Sequence, residues 1–352
     1  MNAVQSSAEG PVLAVDLGGT QIRAALVTPD LALHCRRAVE TRDEEGVDAV
    51  LARIGEVAAE VRADARKERL PEPVAMGISS PGPLDPWRGV VLDPPNLRGW
   101  QDVRIVERLG ASSDLPIYLE RDTNVAIMAE WRHGVARDTR NSAYITVSTG
   151  IGGSAVIGGR PLVGRHGTAG ELGHITVELD GPRCGCGGFG HVEAIASGTA
   201  LARDGAASAA ARPDSILAEL ARAADEVDAE LVARAAKAGD EASQQMLDRA
   251  FVAIGALCAS LVNVLDPEVI IIGGSIAEHQ PRIFDVVRRE IERRAFSLLQ
   301  NEVRIEAPAF GGDVSLVGAL PIVNERIGDP AYASGSHRPP QAASQQQGAH
   351  RP

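Results

Sequence analysis

The sequence predicts an α/β protein of two related domains, on three observations. Residues 12–28 (VLAVDLGGTQIRAALVT) set two apolar, β-rich runs around a Gly-Gly-Thr turn. Residues 142–163 (SAYITVSTGIGGSAVIGGRPLV) repeat strand, glycine turn and strand. The length of 352 residues exceeds a single typical domain. Two halves that open on the same unit point to related α/β domains.

The elements follow in order. Helical spacing runs over about 46–69, then a buried strand (VAMGI) and a loop dense in Pro and Gly (SSPGPLDPWRG). LPIYLE is a short strand ending at Arg121-Asp122, and from Thr123 the pattern is helical until Gly134. Residues 198–260 are Ala-rich and helical, VIIIGG (269–274) is a strand, and helices continue to about 300. From about residue 328 the chain loses periodicity and fills with Pro, Gln, Ser and Gly, so 328–352 is expected to be a disordered tail outside the fold.

Composition narrows the function classes. Aromatic residues make up 3% and the formal charge is −12, which argues against a base-stacking or phosphate-neutralising nucleic-acid surface. No apolar run is read as approaching the roughly 20 residues that span a bilayer. No secretion signal is read in the first residues, and Cys35 and Cys258 are expected to be unpaired thiols, so a cytoplasmic setting follows.

Chemistry concentrates in four places. In Asp16-Leu17-Gly18-Gly19-Thr20, adjacent glycines let backbone N–H groups approach a phosphate, and Asp16 can hold Mg²⁺ through water. Alone, this is equally a plain hairpin turn. A second glycine turn with Thr149, Gly150 and Gly152, and a third close approach at Gly273-Gly274 after a hydrophobic strand, suit a nucleotide clamped between two domains. Asp122 is the catalytic candidate, because phosphoryl transfer to an alcohol needs a carboxylate to orient the hydroxyl and take its proton. It can equally cap the following helix, and the two roles can coexist.

The fourth place is His174 followed by Cys184, Cys186 and His191. Two thiolates and two imidazoles match a closed tetrahedral Zn²⁺ site, with no position left open for catalysis. The spacing is not that of a DNA-binding finger. Glu171, squeezed between glycines and a metal ligand, is placed to accept sugar hydroxyls.

These motifs occur in an order that resembles the ROK family of repressors and sugar kinases. The matching segments are Asp-x-Gly-Gly-Thr, Pro-Gly-Pro-Leu-Asp (81–85), Asn-Leu-x-Gly-Trp (96–100), Asp-Thr-Asn (122–124), the second glycine turn, Glu-x-Gly-His and Cys-x-Cys-Gly. The resemblance runs from about residue 12 to 325. It implies a two-domain actin-like (ribonuclease H-like) ATPase fold with the ligand cleft between domains. The small domain would span 11–119, completed by a C-terminal helix at about 313–326, and the large one 120–312.

It further implies ATP and Mg²⁺ as cofactors, a structural Zn²⁺, a hexose as substrate and a homodimer. Asp122 matches the family's base. Asn96, Glu171, His174 and Glu193 match its sugar-binding positions. Asp16, Gly18, Gly19 and Thr20 match the first phosphate loop, Thr149, Gly150 and Gly152 the second, and Gly273 and Gly274 the loop near the nucleoside. Two positions depart from the family pattern. His191 stands where a third cysteine is common, and Arg121 where many members have an Asn that touches the sugar.

Glucose is the first expected acceptor, with N-acetylmannosamine and fructose behind it and polyphosphate as an alternative donor. A sugar sensor without catalysis is the reading from another class. The repressor branch is set aside because barely ten residues precede the first strand.

Overall fold

The computed structural model describes residues 10–94 and 96–333, which pack as two compact units, one of residues up to Arg121 and from Ala319, the other Asp122–Gly318. In the first unit, β1 (Val12–Leu17), β2 (Gln21–Val27) and β3 (Leu33–Glu40) form an antiparallel meander. The chain continues through α1 (Val47–Lys67), β4 (Ala75–Ser80), the two-residue pair β5 (Leu84–Asp85) and β6 (Val90–Val91), α2 (Ile105–Gly110) and β7 (Ile117–Arg121). The sheet order is β3-β2-β1-β4-β7, with β4 and β7 parallel to β1.

Helix α1 buries Val50, Leu51, Ile54, Val57, Ala58, Val61 and Ala65. That three-and-four spacing puts one apolar stripe onto the meander.

The second unit opens with α3 (Asp122–His133), then β8 (Ser142–Val147), β9 (Ile151–Ile157) and β10 (Arg160–Pro161). A long irregular segment follows, then α4 (Val192–Ala196), α5 (Gly198–Ala211), α6 (Ile216–Ala221), α7 (Ala229–Lys237) and α8 (Glu241–Leu265). The unit ends with β11 (Val269–Gly273), α9 (Ser275–His279), α10 (Arg282–Arg294), β12 (Arg304–Glu306) and α11 (Val314–Val317). Its sheet, β10-β9-β8-β11-β12, repeats the order and strand directions of the first. Helix α12 (Ala319–Arg326) returns to the first unit and packs on β4, β1 and β7, where Gly77 lets it approach closely.

Three expectations need correction. The C-terminal helix expected over 313–326 is broken: α11 and α12 part at Gly318, which lies hard against the Val125 carbonyl of α3. The tail does not begin at 328. Residues 328–333 still belong to the fold, with Tyr332 under the Arg326 guanidinium (4.4 Å) and the Ala333 N–H donating to the Trp87 carbonyl (2.7 Å); the rest of the expected tail lies outside the described residues. An apolar run of membrane length does exist, because α8 is long and apolar enough to cross a bilayer. It is instead a core helix: Phe251, Ile254, Leu257, Cys258, Leu261 and Val262 are buried, and α10, α4 and α7 pack on it.

Candidate active site

The two glycine turns join the first two strands of each sheet. In the first unit, the Gly18 N–H donates to the Gln21 carbonyl (2.9 Å) and closes the turn. Thr41 clasps it from outside: its N–H donates to the Thr20 carbonyl (2.8 Å) and its hydroxyl to the Gly18 carbonyl (2.6 Å). In the second, Ser148 N–H donates to Gly150 carbonyl (2.9 Å), while Gly198 and Thr199 at the start of α5 donate to the carbonyls of Ser148 (2.8 Å) and Thr149 (3.1 Å). Among the described residues, the N–H groups of Gly19 and Thr20 in one turn, and of Thr149 and Gly150 in the other, bond to no protein acceptor. Two adjacent unbonded donors at a tight turn can receive an anion.

Beside the first turn, Asp16 is paired with its cross-strand neighbour Arg23, whose Nε (3.0 Å) and Nη2 (2.6 Å) both donate to Oδ2. Gly19 lies against Asn96, so closely that a Cβ would fall 2.6 Å from the Asn96 carbonyl. The exposed Asn96 therefore stands next to the turn. Arg121 ends β7 as a buried side chain, and its backbone N–H donates to Glu120 Oε1 (2.8 Å).

In the second unit the start of β9 gathers the remaining residues. Asp122 is the first residue of α3, and its Oδ1 accepts the Thr123 N–H (2.7 Å), so one carboxylate oxygen is engaged by the helix's first turn. Thr123 packs on Gly152, where a Cβ would meet the threonine methyl at 2.8 Å; glycine is needed for this approach. Asn124 Oδ1 accepts the Ser154 hydroxyl (2.5 Å), fixing α3 to β9 a second time. On the same three-residue stretch, Leu172 seats on Gly153, Gly173 on the Ile151 carbonyl, and Glu193 Oε2 accepts the Ile151 N–H (3.0 Å). Strand β9 thus brings the Asp122 helix, the Glu171–His174 turn and Glu193 together.

His174, Cys184, Cys186 and His191 converge so that one ligand atom from each lies within 4.8 Å of the others. Cys184 Sγ is 3.7 Å from His174 Nδ1, and Cys186 Sγ is 3.3 Å from His191 Nδ1. With zinc bonds of about 2.3 Å to sulfur and about 2.05 Å to nitrogen, the S–N edge of a tetrahedron is about 3.6 Å, so the cluster fits Zn²⁺. Burial pushes the Cys184 thiol up to about 11, so a thiolate there has to be sustained by a cation. Gly188 leaves room for the His191 ring. The four cysteines, Cys35 and Cys258 included, form no disulfide.

Sequence reasoning missed the cavity beyond the second turn. About 1140 Å³ in volume, it is lined by Ser148 and Thr199 at one end, by Lys237 and Gln244, and by Ser275 and His279 of α9. The Gly273-Gly274 turn leads into Ser275 and Ile276, which line the cavity, while the two glycines themselves do not. Gly274 sits at φ 90°, a Cβ there would fall 2.5 Å from the Val147 carbonyl, and Ser275 Oγ is 3.0 Å from Ser148 Oγ. Ser197, whose hydroxyl accepts the Ala200 N–H (3.1 Å), caps α5 and was a detectable signal in the Ser-Gly-Thr run.

The same features recur in known proteins. The profile of the ROK family matches residues 12–326. The chain is 32% identical over 317 residues to the glucokinase of Thermotoga maritima, covering 90% of this chain and 98% of that protein. It is 32% identical over 310 residues to the N-acetylmannosamine kinase of Salmonella typhi (87% and 96% covered). The crystal structure of a ROK family glucokinase from Streptomyces griseus in complex with glucose and AMPPNP superposes with a TM-score of 0.76 at 30% identity, covering 88% of this chain and 98% of that one. The twin sheets, the paired turns and the full-length matches place this chain in the ROK family, as an ATP-dependent sugar kinase of the two-domain actin-like fold.

Proposed function

We propose that the chain transfers the γ-phosphoryl group of ATP to a hexose hydroxyl, with glucose as its preferred acceptor and Asp122 as general base. The observation that supports this reading is the convergence on residues 151–153 of β9 of the Asp122 helix, the second glycine turn and the Glu171–His174 segment. The hydroxyl oxygen attacks the γ-phosphorus, the bond to the bridging oxygen breaks, and ADP leaves with that electron pair. The hydroxyl proton passes to the Asp122 carboxylate oxygen not engaged by Thr123. The N–H pairs of the two turns take up phosphate charge, and Asp16 is the residue that would hold Mg²⁺ through water. That ion, when bound, neutralises charge developing between the phosphates.

Asn96, Glu171, His174 and Glu193 orient the sugar in this reading. The large cavity beside Thr149 and Thr199 supports a nucleoside donor over polyphosphate, since a bare phosphate chain would leave it unfilled. Zn²⁺ is proposed at His174, Cys184, Cys186 and His191 as a structural ion. N-acetylmannosamine is the second reading of the acceptor. It rests on the 32% identity to the Salmonella typhi kinase and on Arg121 standing where many family members have Asn.

Asp122→Asn tests the mechanism. It keeps an oxygen for the Thr123 N–H and the volume but removes the base, so kcat should fall about 10²–10⁴-fold. Glucose affinity by calorimetry should stay within about threefold, under 1 kcal/mol. Near-normal turnover would show that Asp122 is not the base.

A further inference from the structure

We infer that Glu193, besides facing the sugar, is the positioning residue of the second phosphate turn, and that it ties nucleotide binding to the metal loop. Its Oε2 accepts the Ile151 N–H (3.0 Å), the bond that ends the turn and begins β9. Gly150, in the turn itself, backs onto the same oxygen, where a Cβ would fall 2.9 Å away. Its Oε1 lies 3.6 Å from Cys184 Sγ. One carboxylate therefore spans from the Cys/His cluster to the turn whose Thr149 and Gly150 N–H groups point at no protein acceptor.

Where the carboxylate is held matters as well as the bond. A carboxylate behind a nest repels the phosphates that the nest attracts, unless it is fixed on a donor of its own. Ile151 supplies that donor, so Glu193 shapes the turn at short range while the N–H holds its Oε2 in place. Releasing Glu193 would free the turn's last N–H and leave a mobile anion beside the phosphate path. On this account, loosening the Cys/His loop weakens nucleotide binding even when no sugar is present.

The inference rests on the second turn binding phosphate, and calorimetry of Mg-AMPPNP without sugar separates the two claims. Glu193→Ala should weaken AMPPNP by about tenfold, the effect of losing a charge-assisted hydrogen bond at the turn. Glu193→Gln keeps an oxygen for Ile151 and should restore affinity to within about threefold. Wild-type protein stripped with a zinc-selective chelator in excess Mg²⁺ should show the same loss as Glu193→Ala, and stripping Glu193→Ala should add little. Folded Glu193→Ala that binds AMPPNP like wild type would overturn the inference. If that variant does not fold, stripped wild type with unchanged affinity would overturn it instead. Wild type that binds no AMPPNP would overturn the phosphate reading of the turn, and this inference with it.

Discussion

The two glycine turns grow from the same strand order and present the same pair of unbonded N–H groups, yet they are held from different directions. The first is held locally. Thr41, fully buried at the end of the meander, reaches both Gly18 and Thr20, and Arg23 neutralises Asp16 across one strand pair. The second is held from a distance, by Glu193 and by the first N–H groups of α5, 42 to 50 residues further on. Between them lies an irregular segment with little helix or sheet to fix it. The contrast shows what the Cys/His cluster could contribute to its unit: a turn braced by a remote loop needs that loop ordered, and a metal ion on four ligands would order it.

The comparison can be broken at several points. The largest stability effect should come from the first unit's own brace, the buried Glu120–Arg326 ion pair, in which Arg326 Nη1 also donates to the Leu119 carbonyl (2.7 Å). Arg326→Met removes the guanidinium from the buried Glu120 carboxylate and should cost about 3–5 kcal/mol in denaturant unfolding. The loss should be equal with and without chelator; a loss that vanishes on stripping would mean the two units share one brace.

A smaller effect is expected at Thr41. Thr41→Val removes only the hydroxyl bond to Gly18 and should cost about 1 kcal/mol, or about fivefold in AMPPNP affinity. This penalty should add fully to chelation, whereas Glu193→Ala should not. Thr41→Val and chelation that fail to add would erase the distinction between a local and a remote brace.

Much of this was legible in the chain. Both hairpins, α1, β4, β7 and the helix from Asp122 follow from apolar periodicity and glycine punctuation. Strand β3 was missed because its residues, His-Cys-Arg-Arg in the middle, are half exposed at the sheet edge and Cys35 takes a left-handed φ of 53°. Composition misled at the C-terminus, where Tyr332 and Ala333 dock despite their Pro- and Ser-rich surroundings. In the site, the glycines, Asp122 and the Cys/His set carry their chemistry in their spacing. Thr41, Thr199 and Ser148 do not, since each is a single hydroxyl whose partner is fixed only by tertiary folding. The double duty of Glu193 was invisible for the same reason.

The most direct test of the sugar-kinase account is a coupled ADP-release assay with purified protein and Mg-ATP across glucose, mannose, fructose, N-acetylglucosamine and N-acetylmannosamine. The account predicts sugar-dependent ADP release with the highest kcat/KM on glucose. Absence of turnover with all five sugars would contradict it.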